Sequence, residues 1–245
     1  MKPLTERLSV VTATLGEDSP HVARWSRLAA YEIPIYTVRN HMGVVPAFAE
    51  GVRLAAEEGA EIIACLHDDV IIEEPDWDIH VTAWFDAQPK CVLAGFGGGK
   101  GLGHPDIYRI PYDPMQLARV DFVSNMRDAE AHGRRVAIPT RVACLDGFSQ
   151  IGRADFLRRS FQYLEKLGVV HHAYDSHLGV LAARAGGEAW MLPVKVHHLG
   201  GRTAVGNVEY QSWARGQNPE GDHGFWVKAH EVLYEDARGT LPLRF

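Results

Sequence analysis

The stretch Glu61–Val70, EIIACLHDDV, constrains this chain more than any other. Five apolar residues, Ile62 to Leu66, run into His67 and two adjacent carboxylates, Asp68 and Asp69. A short apolar run with β-branched residues, preceded by a helix-like segment, reads as a buried parallel strand. Open α/β sheets bind ligands just beyond the carboxyl ends of such strands. Two acids there repel each other and are costly to desolvate. A divalent cation removes the conflict, since Mg2+ and Mn2+ take carboxylate oxygens and share them with substrate phosphates. The alternative is a strand that ends in a solvated acidic turn.

The segments before this stretch have a matching rhythm. Leu8–Thr14 reads as a first strand, and Ser19-Pro20 as the cap and first residue of a helix running to about Tyr31. Ile33–Arg39 reads as a second strand, and Pro46–Glu58 as a helix closed by Gly59. Strand, helix, strand, helix, strand within 70 residues predicts an α/β fold, a mostly parallel central sheet flanked by helices. Asp76–Ala87 and Arg153–Leu167 continue as helices, and Lys90–Phe96, Arg141–Ile151 and Glu188–His198 as strands. A small-residue helix is expected over Ser176–Ala185. Gly95–Gly103 (GFGGGKGLG) fits neither common phosphate fingerprint and reads as a flexible loop or a substrate-facing lid. Residues 104–140 show weak periodicity, as functional insertions do.

With 245 residues and no internal repeat, a single domain is expected. About 1–100 would form one half of it, around the Glu61–Val70 turn, and about 101–245 the other, ending in a C-terminal lid. No apolar run reaches a membrane span and the first residues lack a long apolar leader, so a cytoplasmic protein is the default. Cys65, Cys91 and Cys144 form no CxxC pair and sit in apolar runs, which predicts buried free thiols. A net charge of −6 argues against a broad nucleic-acid footprint.

The order of these features resembles an A-type-fold (GT-A) nucleotide-sugar glycosyltransferase, similar to the large inverting glycosyltransferase family 2. SVVTAT resembles that family's opening strand, HDDV its Asp-x-Asp-type metal motif, and CLDGFSQIGRADFL the start of its acceptor side. AYDSHLGVLAARAGGEAWMLP resembles the segment with the catalytic acid. The resemblance spans residues 8–198. It departs at His67, where many members have an acid, and at Tyr174-Asp175, where a Glu-Asp pair is usual.

The resemblance implies transfer of a sugar from a UDP-sugar donor to an acceptor hydroxyl with Mn2+ or Mg2+ as cofactor. It implies Asp69 as direct metal ligand, with Asp68 beside it on ribose or a metal-bound water. A further ligand would come from the late strand's end, His197 or His198, with His198 preferred; alternation lets only one face inward. Asp175 would be the base, at a helix start where the dipole favours a carboxylate; the plain alternative is a helix cap. Thr12, Thr14 and Arg39 would hold base and ribose, Asp146 would face the donor sugar or acceptor, and Arg202 would close over the diphosphate. The acceptor could be a glycan, a small molecule or a hydroxymethylated base in DNA, the last served by a patch of Arg127, Arg134, Arg135, Arg153, Arg158 and Arg159. Two competing readings are a nucleotidyltransferase of related fold and a non-catalytic nucleotide- or glycan-binding module.

Overall fold

In a computed structural model, residues 7–15, 19–39, 43–127, 133–200 and 207–245 are described. The first 90 residues alternate as the sequence predicts. They give β1 (Leu8–Thr14), α1 (Pro20–Leu28), β2 (Ile35–Arg39), α2 (Val44–Glu57), β3 (Ile62–His67), a short β4 (Val70–Ile72) and α3 (Trp77–Ala87). There follow β5 (Cys91–Gly95), β6 (Gly97–Leu102), β7 (Arg119–Ser124), β8 (Arg134–Arg135), β9 (Thr140–Val142), β10 (Cys144–Leu145) and β11 (Ser149–Arg153). The chain ends with α4 (Ala154–Lys166), α5 (Tyr174–Arg184), β12 (Glu188–Met191), β13 (Val196–His198), α6 (Val208–Gln217), α7 (Gly221–Asp236) and β14 (Leu243–Arg244).

The central sheet runs β2-β1-β3-β11-β5-β12-β9; β2, β1, β3, β5 and β12 share one direction, as expected, and β11 and β9 oppose it, so the sheet is mixed rather than strictly parallel. β1 pairs in parallel with β2 and β3, and β12 with β5. β11 inserts antiparallel between β3 and β5, and β9 is antiparallel to β12. The physical reason lies in Arg141–Ile151, expected as one strand. It breaks at Ala143 and again at the turn Asp146–Phe148, so its last part returns along β3 in the opposite sense.

Helices cover both faces of this sheet. Val11, Cys65, Phe48, Val52, Phe161 and Leu164 form one layer with α2 and α4. Val10, Leu66, Trp25, Trp77 and Phe85 form the other with α1 and α3. Side chains of this size contribute about 1.5–3 kcal/mol each when fully buried. The three cysteines are buried free thiols, and burial pushes Cys65, Cys91 and Cys144 above the ordinary thiol range.

Three further segments differ from expectation. The glycine run is no loop: Gly97–Leu102 is β6, largely buried and paired with β7, β10 and β14. The last strand is two strands in different sheets, divided by Pro193, with β13 pairing antiparallel to β4. The tail, read as a glycine- and arginine-rich lid, contains the helical hairpin α6–α7.

Candidate functional site

The site forms where β1 and β3 end. The parallel register sets Ala13 beside His67, so Thr14 lies next to the turn Asp68-Asp69. Thr14 lies close enough to the Asp68 carboxylate to lower its pKa. β4 then turns the chain back, held from below by Trp25, whose indole N–H donates to the Val70 carbonyl at 2.8 Å. Its antiparallel partner β13 aligns His198 with Val70, and the Leu199 N–H donates to the Asp69 carbonyl at 3.2 Å. Two residues nearly 130 positions apart in sequence are thereby placed side by side.

His67, Asp69 and His198 converge there, with one ligand atom from each within 4.8 Å of the others. His198 Nε2 lies 3.2 Å from Asp69 Oδ1. That contact has ion-pair distance without hydrogen-bond alignment, and Asp69 Oδ1 is buried with no hydrogen-bond partner among the described residues. A buried carboxylate oxygen left unsatisfied is costly, and a cation between the two atoms would satisfy both. The two acids are driven apart electrostatically. Burial pushes Asp68 up, only partly offset by Thr14. Burial acts the same way on Asp69, but His198 and His67 outweigh it and hold Asp69 below the usual carboxylate value. Burial also lowers His67, which keeps its imidazole neutral and able to bind metal. The ring of His198 stacks on Phe148 at 4.7 Å.

His67 also borders a cavity of about 490 Å3 that holds two further candidates, Asp146 and Asp175, together with Arg119. Asp175 lies inside α5, in its first turn, rather than before it, and the cap position is Ala173 at φ 61°. Its Oδ1 accepts from the Ser176 N–H at 2.8 Å and its Oδ2 from Arg119 at 2.7 Å. Arg119 also reaches Asp146 at 3.9 Å. Burial alone would lower the Arg119 guanidinium, but the two carboxylates raise it, so it stays charged. Sequence reasoning missed Arg119, which opens β7 inside the unassigned insertion; nothing local marks it.

Tyr174 joins the two groups. Its hydroxyl donates to the Gly147 carbonyl at 2.6 Å and lies 3.1 Å from His67 Nε2. A Cβ on Gly147 would meet that hydroxyl at 2.9 Å, so the turn after Asp146 needs glycine. The far wall of the cavity comes from the C-terminal hairpin and the segment before α5. His172 Nε2 contacts Asp222 Oδ1 at 2.8 Å, and the Tyr210 hydroxyl donates to the same oxygen at 2.7 Å. Burial would raise Asp222, but these two donors bring it below the usual value. His171 caps α2, accepting from the Val44 N–H, and burial lowers it to about 3.

The other candidates are dispersed. Thr12 is fully buried one pleat deeper in β1, its hydroxyl without a hydrogen-bond partner among the described residues. Arg39 is exposed at the end of β2, in register with Thr14. Arg202 lies outside the described residues. The six arginines suggested as a nucleic-acid patch are largely engaged by the protein itself. Arg127 pairs with Glu73, Arg135 with Asn125, Arg158 with Asp155, and Arg153 with the Cys91 and Phe85 carbonyls. A second concavity of about 540 Å3 beside α7 is lined by Tyr112, Lys228, Glu231 and Tyr234 and holds none of the candidates.

No protein-family model matches the chain. No curated protein matches it either. Among solved structures, A197 from STIV aligns over 80% of this chain and 87% of its own, with 10% identity and a TM-score of 0.47. GalNAc-T7, solved with UDP, GalNAc and Mn2+, aligns over 94% of this chain with 12% identity and a TM-score of 0.46. This chain spans 55% of the GalNAc-T7 chain. Likeness at this level assigns neither a family nor an activity.

Proposed function

We propose that this protein is a metal-dependent glycosyltransferase that moves a sugar from a nucleotide diphosphate, UDP-sugar in the first instance, to an acceptor hydroxyl. The observation that carries the reading is the convergence of His67, Asp69 and His198 beside Asp68 and Thr14, with Asp69 Oδ1 buried and unsatisfied among the described residues. The group stands at the carboxyl ends of β1 and β3, where α/β sheets hold nucleotides. Two imidazoles and a carboxylate suit Mn2+ better than Mg2+, which prefers oxygen ligands. Such an ion, when bound, neutralises the charge that develops on a departing diphosphate.

The chain's own residues supply the rest. Thr14 and Asp68 are assigned to the ribose; Thr12, fully buried beneath them, is given no contact with the nucleotide. Asp146 and Asp175, steadied by Arg119, face the cavity in which the acceptor's hydroxyl groups would be held. The same three metal donors also serve non-haem iron oxygenases. The position beside Thr14-Asp68 at the parallel strand ends favours a nucleotide over dioxygen chemistry. Release of UDP from a panel of UDP-hexoses, with Mn2+ and after EDTA, tests the reading. Asp69→Asn keeps the size of the side chain and removes its charge. It is expected to abolish Mn2+-dependent release while melting like the wild type. Undiminished release by Asp69→Asn, or by the EDTA-treated protein, would refute it.

A further inference from the structure

Resting on that reading, we infer that the proton of the attacking hydroxyl goes to His172, oriented by Asp222 and Tyr210, while Asp175 binds the acceptor. Each oxygen of Asp175 accepts from a protein donor, Arg119 or the Ser176 N–H, which stabilises the carboxylate and makes it a weaker base while leaving lone pairs to accept from an acceptor hydroxyl. His172 is arranged differently. The Asp222 carboxylate is ionised and already receives the Tyr210 hydroxyl, so the hydrogen in its 2.8 Å contact with His172 comes from Nε2. That fixes the tautomer and leaves the Nδ1 lone pair, which makes no hydrogen bond among the described residues. The side chain is 18% exposed and borders the same cavity as Asp175. Left-handed Ala173 turns the chain between the two.

An imidazole with a carboxylate behind it is the arrangement by which enzymes hold a histidine base in the right tautomer. His171, whose ring is 4.9 Å away, is already occupied as a helix cap. His230, also on the cavity wall, donates through Nδ1 to the Trp226 carbonyl and pairs with no carboxylate among the described residues. The remaining charged groups lining the cavity are Asp146, Asp175 and Arg119, which pair with one another. In the step, the acceptor O–H bond breaks and its proton passes to Nδ1. The oxygen forms the new bond to the anomeric carbon, and the electron pair of the sugar–phosphate bond leaves on the diphosphate. Imidazolium charge on His172 then faces Asp222. The hairpin α6–α7 is therefore a part of the catalytic wall, through the positioning residues Asp222 and Tyr210.

The test combines turnover with a structural signature. UDP release from UDP-hexoses, with free monosaccharides or water as acceptor, is compared in wild type, His172→Gln, His230→Gln, Asp222→Asn, Asp222→Ala and Asp175→Asn. His172→Gln is expected to lower kcat on the order of a hundredfold or more with Mn2+-dependent UDP affinity within twofold of wild type. The Asp222 variants should lose part of kcat at unchanged KM, and Asp175→Asn should chiefly raise the acceptor KM. Imidazole 15N spectra should show His172 as the Nε2–H tautomer in wild type and as a mixture in Asp222→Ala. A His172→Gln protein with wild-type kcat, a loss confined to His230→Gln, or an Nδ1–H tautomer at His172 would overturn the inference. A wild-type protein that neither binds UDP with Mn2+ nor releases it from any donor would instead sink the reading on which it rests.

Discussion

Tyr174 ties His67 to the turn after Asp146 through one oxygen. Its hydroxyl has a single hydrogen, given to the Gly147 carbonyl, so the contact at 3.1 Å must run from His67 Nε2–H to the tyrosine oxygen. That leaves His67 Nδ1 as the nitrogen for a metal, the kind of fixing that ligand histidines usually need. Burial raises Tyr174 well above the ordinary tyrosine value, which keeps the hydroxyl protonated. Tyr174→Phe strands a carbonyl and an imidazole N–H. It is expected to cost about 1–3 kcal/mol of stability and to weaken Mn2+ binding about 10- to 100-fold, read by denaturant unfolding and metal calorimetry. Unchanged Mn2+ affinity would place the control of His67 elsewhere. At this scale the sequence exposed Asp68, Asp69 and Asp175, because adjacent or helix-end carboxylates are conspicuous in local pattern. Arg119, Tyr210 and Asp222 were invisible, since each acquires meaning only from a partner 12 to 56 residues away.

The glycine strand β6 shows what local propensity misses. Glycine is depleted in strands, so a run of glycines reads as a loop; here it is a strand because neighbouring backbones leave no room for side chains. A Cβ on Gly98 would stand 2.5 Å from the Cys144 carbonyl oxygen, and one on Gly95 2.4 Å from that of Ser149. Gly98→Ala is therefore expected to destabilise by about 1–3 kcal/mol or more, the scale of overpacking. Gly216, within α6, has nothing within 4 Å of its Cβ position. Gly216→Ala should stabilise by about 0.5–1 kcal/mol through helix propensity. Denaturant midpoints of the two variants check both signs; a Gly98→Ala protein as stable as wild type would contradict the close approach of β10. The same gap between pattern and packing explains the tail. Asn207 caps α6, its side chain accepting from the Tyr210 N–H. The glycines and arginines around it masked that signal.

Across the whole molecule, the β-α-β-α-β opening was legible because its apolar runs are continuous, whereas the mixed sense of the sheet was not. The direction of β11 depends on a three-residue turn at Asp146–Phe148, which no periodicity records. Global stability should also reveal the buried histidines. Burial lowers His171 from 6.5 to about 3 and His177 from 6.5 to about 4. As pH falls below 6.5 the unfolded chain takes up these protons and the folded one does not. Their contribution is thus complete above pH 6.5 and is lost toward pH 4 and then 3, at up to about 1.4 kcal/mol per pH unit for each. Urea unfolding at pH 7.5, 6, 5 and 4.5 should show that decline, and a flat profile over this window would contradict the burial of both rings. The central claim, a metal-bridged nucleotide site built from His67, Asp69 and His198, is tested most directly by calorimetry of UDP binding to the full chain. With Mn2+ present, UDP is predicted to bind at one site per chain, and with EDTA that binding is predicted to disappear. Equal binding in both conditions, or none in either, would contradict the account.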